Sequence, residues 1–415
     1  MPSHVHLGPL PPDAARVVQS HEAQTTKSSS RPYEIVVSSN GRGFIRRARK
    51  DKAWWDPGSW PKSVCAAMGF ILIILAIVLA SALTKDNTPK LYPDYAHIPY
   101  TLRETYEGET FFDHFNYFAD VDPSHGFVNY LPRPLAKRLN LTYATPSTAI
   151  VRVDTSVGPQ SIPDASTGRF SVRLESKRKY NGGLFIFDVK HTPYACGAWP
   201  ALWLTDTSDW PAKGEIDVME AVNEAKDGNL MSLHTRDGCS MAHAERRMTG
   251  IAQNDECDAG KNNNAGCGVA TNNTNLAASF GPSHNAAGGS VMALEWRHDG
   301  IRIWQFGRNA IPRNLVEKMP NPTVWGTAAA DFPNTHCEIA SRFQNHSIIV
   351  NINLCGDMVH ATWKESGCPS ICADLVASRP ELYKTAYWEF GAFDIYQPTR
   401  KRGWPEYLLA QEKKQ

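Results

Sequence analysis

KGEIDVMEAVNE, residues 213–224, sets three carboxylates close together at Glu215, Asp217 and Glu220. The spacing i, i+2, i+5 suits neither regular structure. On a helix of 3.6 residues per turn the three side chains scatter around the axis. On a strand, Glu215 and Asp217 share a face while Glu220 falls on the other. One extra residue resolves the conflict: a β-bulge at Val218-Met219 returns Glu220 to the side of the other two acids. The stretch then reads as a strand whose Ile216, Val218 and Met219 face a core.

Like charges in a row raise the free energy of the fold, so the row calls for a use. Three uses stay open at this level. One is a solvated face. Another is a Ca²⁺ site, which oxygen ligands suit, although the Asn, Asp and Gly of the usual calcium loop are missing. The third is a carboxylate pair for glycoside cleavage, with an acid between the two to tune protonation. With the bulge counted as one step, Glu215 and Glu220 stand roughly 13 Å apart at Cα. Retaining glycosidases bring their carboxyl groups to about 5–5.5 Å and inverting ones to about 6.5–9.5 Å. The spacing therefore allows retention on a bent strand without requiring it.

Outward from this strand the chain is a series of short β-type runs. They include RFSVRLESK (169–177), GGLFIFDVKH (182–191), NLMSLHTR (229–236), SIIVNINLC (347–355) and YWEFGAFDIYQ (387–397). VMALEWRHDGIRIWQFG (291–307) carries Asp299-Gly300 between two such runs, a hairpin signal. No long stretch keeps a 3.6-residue period, so the reading is an all-β, antiparallel sandwich. Residues 239–290 read as a long loop stapled by cysteines.

The 415 residues hold 43 basic and 42 acidic side chains, so nothing global points to a nucleic-acid partner. VCAAMGFILIILAIVLASAL, Val64–Leu83, is twenty residues without a charge, enough to cross a bilayer as a helix. It begins too deep in the chain for a secretory signal peptide. RRARKDK (46–52) and Lys62 precede it, against Lys85 and Lys90 just after, so the positive-inside rule puts the N-terminus in the cytoplasm. The expected organisation is a disordered cytoplasmic tail (1–63), a transmembrane helix acting as a type II anchor (64–83) and a stem (84–105). A lumenal or extracellular domain (106–400) and a C-terminal tail (401–415) follow. The charged end LLAQEKKQ argues against a GPI tail.

Cys65 sits at the cytoplasmic edge of the anchor. Cys196, Cys239, Cys257, Cys267, Cys337, Cys355, Cys368 and Cys372 all follow it, an even set in an oxidising compartment, which predicts disulfides of open connectivity. A zinc site around CPSIC (368–372) lacks a second close Cys/His pair. Sequons at Asn140, Asn272 and Asn345 lie on the same side.

GEIDVME resembles the ExDxxE signature of glycoside hydrolase family 16 in its bulged form. CGAWPALWLTDTSDWP (196–211) is similar to that family's Trp-rich lead-in, and NLMSLHT (229–235) to its strand with a cleft histidine. FFDHFNYFADVDPSHGFVNY (111–130), SVRLESK (171–177), the IPRNL after RIWQFGRNA, and INLCGD (352–357) add to the match. The resemblance runs from Tyr106 to Gln397 and is closest to the fungal endo-1,3(4)-β-glucanase, laminarinase-like members. It implies a β-jelly-roll sandwich of the concanavalin A-like kind with an open cleft. It also implies Glu215 as nucleophile, Glu220 as general acid/base and Asp217 between them.

Trp199 and Trp203, four apart in extended chain, share a face and are candidates for stacking on sugar rings, with Trp210 in the turn before the strand as a third. His234 is a candidate donor to a substrate hydroxyl, and Arg173 and Asn129 are candidate cleft residues. The chemistry calls for no catalytic cofactor and leaves room for a structural Ca²⁺ away from the cleft. The expected partners are a β-glucan and, through one helix, a membrane; oligomeric state is open. Three functions compete: β-glucan hydrolase, wall-remodelling transglycosylase, and non-catalytic glucan-binding or scaffold protein. Tethering sets the chain apart from secreted family members, which begin with a signal peptide.

Overall fold

The computed structural model describes residues 33–37, 43–47, 61–83, 92–158, 160–161, 164–271 and 279–399. The rest of the tail 1–63, residues 84–91 of the stem, the C-terminal tail 401–415 and the sequon Asn272 lie outside the described residues. The chain divides into two compact units, Met1–Asn87 and Thr88–Gln415.

In the first unit, Tyr33–Val37 pairs antiparallel with Gly43–Arg47, inside a segment whose sequence suggested no regular structure. The β-branched run IVV accounts for it. A helix of 22 residues spans Lys62–Leu83. Side chains are described for only part of that helix, and among the described residues no helix is long and apolar enough to cross a membrane.

In the second unit, two eight-stranded antiparallel sheets share one core. Numbering only the strands of the sheet that carries the cleft, they are β1 (Phe115–Phe118), β2 (Arg173–Ser176), β3 (Ala198–Thr205) and β4 (Glu215–Glu220). β5 (Asn229–His234), β6 (Ile251–Ala252), β7 (Val269–Thr271) and β8 (Ser347–Leu354) complete it. Their spatial order is β6-β7-β5-β4-β3-β8-β2-β1. The opposing sheet runs Ala330–Pro333, Gly300–Gly307, Ser290–Arg297, Gly183–His191, Tyr387–Pro398, Thr148–Arg152, Thr142–Thr145, with Tyr100–Tyr106 also on Tyr387–Pro398.

Period-two alternation divides each strand between core and cleft. Leu202 and Leu204 of β3, Ile216 and Met219 of β4, Leu233 of β5 and Val350 and Ile352 of β8 are fully buried. They meet Phe185, Phe187, Met292, Leu294, Phe390 and Phe393 from the other sheet. Each such side chain contributes about 1.5–3 kcal/mol by leaving water.

The bulge is present. Trp203 of β3 pairs with Asp217, but the next residue back, Leu202, pairs with Met219, so Val218 is the extra residue. On the other side Asp217 pairs with Ser232 and Glu220 with Leu230. The 291–307 hairpin also forms, with its turn one residue earlier than the Asp299-Gly300 signal placed it. Arg297 pairs with Gly300, so His298 and Asp299 make the turn. Gly300 is there for another reason: a Cβ would stand 2.0 Å from the Tyr95 hydroxyl oxygen.

The eight cysteines pair as Cys196–Cys368, Cys239–Cys337, Cys257–Cys267 and Cys355–Cys372. The two cysteines of CPSIC go to different partners, which removes the zinc reading. They pin two helices that the sequence did not signal, Asp357–Ser366 and Cys372–Ser378, to the ends of β3 and β8. Of the described sequons, Asn140 is exposed, while Asn345 Nδ2 donates to Asp206 Oδ2 at 2.7 Å.

Candidate active site

A cleft of about 930 Å³ lies on the outer face of the β1–β8 sheet. β3 sends Trp199, Ala201, Trp203 and Thr205 into it, β5 sends Leu230, Ser232 and His234, and β8 sends Asn351 and Asn353. These are alternate positions, as a pleated strand requires. On β4 the bulge does the same for Glu215, Asp217 and Glu220, and all three line the cleft.

The bulge is held by a side chain. Asn229, fully buried at the start of β5, accepts from the Glu220 N–H at 2.9 Å and donates to the Val218 carbonyl at 3.1 Å. Its amide bonds two backbone groups on either side of the bulge.

Each acid has its own donor. Trp199 Nε1 donates to Glu220 Oε1 at 2.7 Å, and Trp210 Nε1 donates to Glu215 Oε2 at 2.6 Å. Asp217 Oδ2 accepts from Ser232 Oγ at 2.9 Å and faces His234 Nε2 at 3.3 Å. The other ring nitrogen, Nδ1, lies 2.8 Å from Asn264 Oδ1.

Burial, and then the charge of Asp217, push Glu215 up to about 8 and Glu220 up to about 7; His234 and the indole donors pull the other way. For His234 burial disfavours the charged ring, yet the hydrogen bond to Asp217 and the charge of Glu215 outweigh it and raise the group to about 10. The site is thus a row of three carboxyl groups facing one imidazole ring whose charged form they favour.

Among the described residues, Glu215, Asp217 and His234 are the grouping that could offer a metal ligand atom each, all within 4.8 Å of one another. His234 Nδ1 lies 2.8 Å from Asn264 Oδ1 and Nε2 3.3 Å from Asp217 Oδ2, so a cation ligated by this ring would have to displace one of these contacts.

The other sequence candidates divide. Trp203 faces the cleft and donates to Asn351 Oδ1 at 2.8 Å. Arg173 also lines it, held by Glu175 at 2.9 Å with its guanidinium 5.1 Å from the Trp203 ring centroid. Trp210, the candidate in the turn, touches an acid directly and is 44% exposed. Asn129 does not belong to the site. It sits on Val128–Tyr130, which pairs with Arg169–Ser171, and its Nδ2 donates to the Gly168 carbonyl at 2.9 Å. The sequence reading missed Asn229, Asn264, Asn351 and Asn353. For the last two a signal existed, since SIIVNINLC interrupts an apolar strand with Asn at alternate positions.

A family model described as the XgeA-like catalytic domain of glycoside hydrolase family 16 matches residues 115–396. A probable glycosidase of Schizosaccharomyces pombe is 40% identical over 309 residues, 74% of this chain and 71% of that one. The chain also matches an endo-1,3(4)-β-glucanase of Emericella nidulans and probable endo-1,3(4)-β-glucanases of two Aspergillus species at 34% to 36% identity, spanning about half their length. Among solved structures, Laminarinase 16A from Phanerochaete chrysosporium, with β-glucans in donor and acceptor sites, is 40% identical at a TM-score of 0.67. The match covers 72% of this chain and 100% of that one. An elongating family 16 β-1,3-glucosyltransferase is 36% identical at a TM-score of 0.65, covering 72% and 99%.

Proposed function

The chain belongs to glycoside hydrolase family 16, and from that premise we propose that it is an endo-acting β-glucanase. It cuts 1,3- or mixed 1,3/1,4-linkages by a retaining double displacement. The observation that carries this reading is the row Glu215, Asp217, Glu220 in the cleft, with an indole N–H on each outer acid at 2.6 and 2.7 Å.

Each residue has a part in the chemistry. Glu220, held up by burial and by Asp217, keeps its proton near neutral pH and gives it to the departing glycosidic oxygen. Glu215, raised to about 8 by burial and Asp217, is drawn back toward its charged form by His234 and the Trp210 N–H, and it reacts in that form. As a carboxylate it attacks the anomeric carbon, the bond to the leaving oxygen breaks, and a glycosyl ester forms. That ester removes the charge of Glu215. Glu220, now a carboxylate, takes a proton from water, whose oxygen attacks the same carbon and frees Glu215. Trp199, Trp203 and Trp210 flank this row, with Arg173 packed on Trp203. The mechanism uses no cofactor.

The test is product analysis with the full chain in detergent on laminarin, lichenan and a chitin oligomer. Shorter β-glucan fragments whose first anomer is retained, by proton NMR, are expected. An inverted first anomer would contradict Glu215 as nucleophile. Neither cleavage nor transfer by folded protein would sink the enzyme reading. The likeness to an elongating glucosyltransferase favours a second reading, in which a sugar hydroxyl replaces water; products longer than the substrate would establish it.

The same proposal places the domain on the lumenal or extracellular side, tethered by the 22-residue helix Lys62–Leu83. The uncharged run and the basic flank before it support this. In sealed vesicles, protease should remove an N-terminal tag and spare the domain; the opposite pattern would reverse the topology.

A further inference from the structure

The loop from Cys257 to Cys267 stands beside the end of β5, and its chain is shaped around one imidazole. Its disulfide closes it over a separation of 10 residues, and β7 pairs with β5 from Val269 onward, so the loop's far end is fastened to the sheet. Asn262, Asn263 and Asn264 follow one another at φ of 49, 52 and 59, and all three line the cleft. Asparagine tolerates this left-handed region better than most side chains, but three in sequence still cost backbone energy. Gly266, two residues past Asn264, has φ 63, and a Cβ there would meet the His234 ring atoms Cε1 and Nε2 at 2.6 Å. The ring is thus enclosed by Gly266, by Asn264 Oδ1 at 2.8 Å and by Asp217 Oδ2 at 3.3 Å. A loop that merely bordered the cleft would need none of this fit.

We propose that the loop Cys257–Cys267 is a positioning device for the active site, with Asn264 as its positioning residue. By accepting from Nδ1–H, Asn264 fixes the His234 ring so that Nε2–H points at Asp217 and a cation stands beside the acids of β4. A neutral imidazole carries one N–H, so a ring with an acceptor at each nitrogen is held in its doubly protonated form. The titratable groups facing the ring are Asp217, Glu215 and Glu220, all on β4. The loop meets the ring with neutral groups, the Asn264 amide and the Gly266 backbone. The effect on turnover rests on the glycosidase reading; the effect on the ring does not.

Two substitutions separate side chain from backbone. Asn264→Gly keeps the left-handed conformation and removes the acceptor, whereas Asn264→Asp keeps both. The measurement is the ring-nitrogen titration of His234 in the full chain, labelled on histidine and held in detergent, alongside kcat and KM on laminarin. In Asn264→Gly the His234 midpoint should fall by about one pH unit, the scale of one charge-assisted hydrogen bond. kcat should drop about tenfold with KM within about twofold, as expected for lost orientation rather than lost binding. Asn264→Asp, which sets an anion at the same acceptor position, should hold the His234 midpoint at or above the parental value and restore kcat. An unchanged titration in Asn264→Gly, or an Asn264→Asp variant that fails alongside it, would overturn the proposal. A parent protein inactive on β-glucans, whose ring still responds to Asn264→Gly, would uphold the loop's hold on His234 and sink the glycosidase reading.

Discussion

On the outer face of the sheet opposite the cleft, Glu295 and Asp331 are as buried as any acid of the site, at 1% and 0% exposure. Glu295 is met by the Arg302 guanidinium, by Arg297 at 3.8 Å and by the Tyr100 hydroxyl at 2.8 Å. Asp331 accepts from Tyr92, Tyr95 and the Arg247 N–H at 2.9, 3.0 and 2.8 Å. In the cleft, Glu215, Asp217 and Glu220 share one imidazolium. One region gives Glu295 two arginine partners; the other sets three carboxyl groups against a single histidine. A buried pair broken on one side is costly, while an excess of like charge is relieved by losing a member. The contrast therefore separates a polar cluster that holds the fold from one that stores reactivity.

The largest effect should come from the excess. Glu215→Gln and Glu220→Gln should each lower kcat on laminarin by at least about a thousandfold. Thermal unfolding should meanwhile stay level or move upward, because each change removes repulsion. A variant of either residue at near parental rate would undo the assignment of roles.

Next comes the balanced cluster. Glu295→Gln leaves Arg302 and Arg297 facing a neutral group and should destabilise the domain by about 3 kcal/mol in denaturant unfolding. The rate per folded molecule should not change. A neutral result there would mean that Tyr100 and solvent compensate, and the contrast would fail.

How far the sequence reveals these two regions follows from the range of the forces involved. The bulge was legible because a period of two breaks within one strand, between Asp217 and Glu220. What holds the bulge was not, since Asn229 lies nine residues away and acts through its amide. The hairpin signal at Asp299-Gly300 slipped by one residue because Gly300 answers to Tyr95, over two hundred positions distant in sequence, rather than to the turn. The helix Asp357–Ser366 buries only Val359, too little for an apolar period to show. Asn129 had the right residue type near the right motif, but its amide is held by the Gly168 carbonyl.

The pH dependence of stability offers a third, smaller distinction. Glu215 and Glu220 are raised from 4.5 to about 8 and about 7, so between those limits the folded state holds more protons than the unfolded one. Stability then falls as pH rises across that window. His234, raised from 6.5 to about 10, adds a further loss between those values, of the same sign. Melting temperatures followed from pH 4.5 to 8 should decline, and the double variant Glu215→Gln, Glu220→Gln should flatten the decline. Glu295→Gln should lower the whole curve and leave its slope. Equal slopes in parent and double variant would show that the cleft acids are not the source.

The smallest expected effect asks whether the two outer acids differ as their roles require. Trp210 donates to Glu215 and Trp199 to Glu220, at nearly equal distances of 2.6 and 2.7 Å. A donor favours the charged carboxylate, so removing it raises that acid's pKa. Substituting phenylalanine keeps an aromatic face and deletes the N–H. With Glu215 as nucleophile, Trp210→Phe should move the acid limb of the pH–rate profile upward, because the nucleophile must ionise. With Glu220 as proton donor, Trp199→Phe should move the alkaline limb upward, because the donor keeps its proton longer. Each shift should be about one unit, the scale of one hydrogen bond to a charged group. Shifts on the opposite limbs would exchange the roles of Glu215 and Glu220 while leaving the row intact.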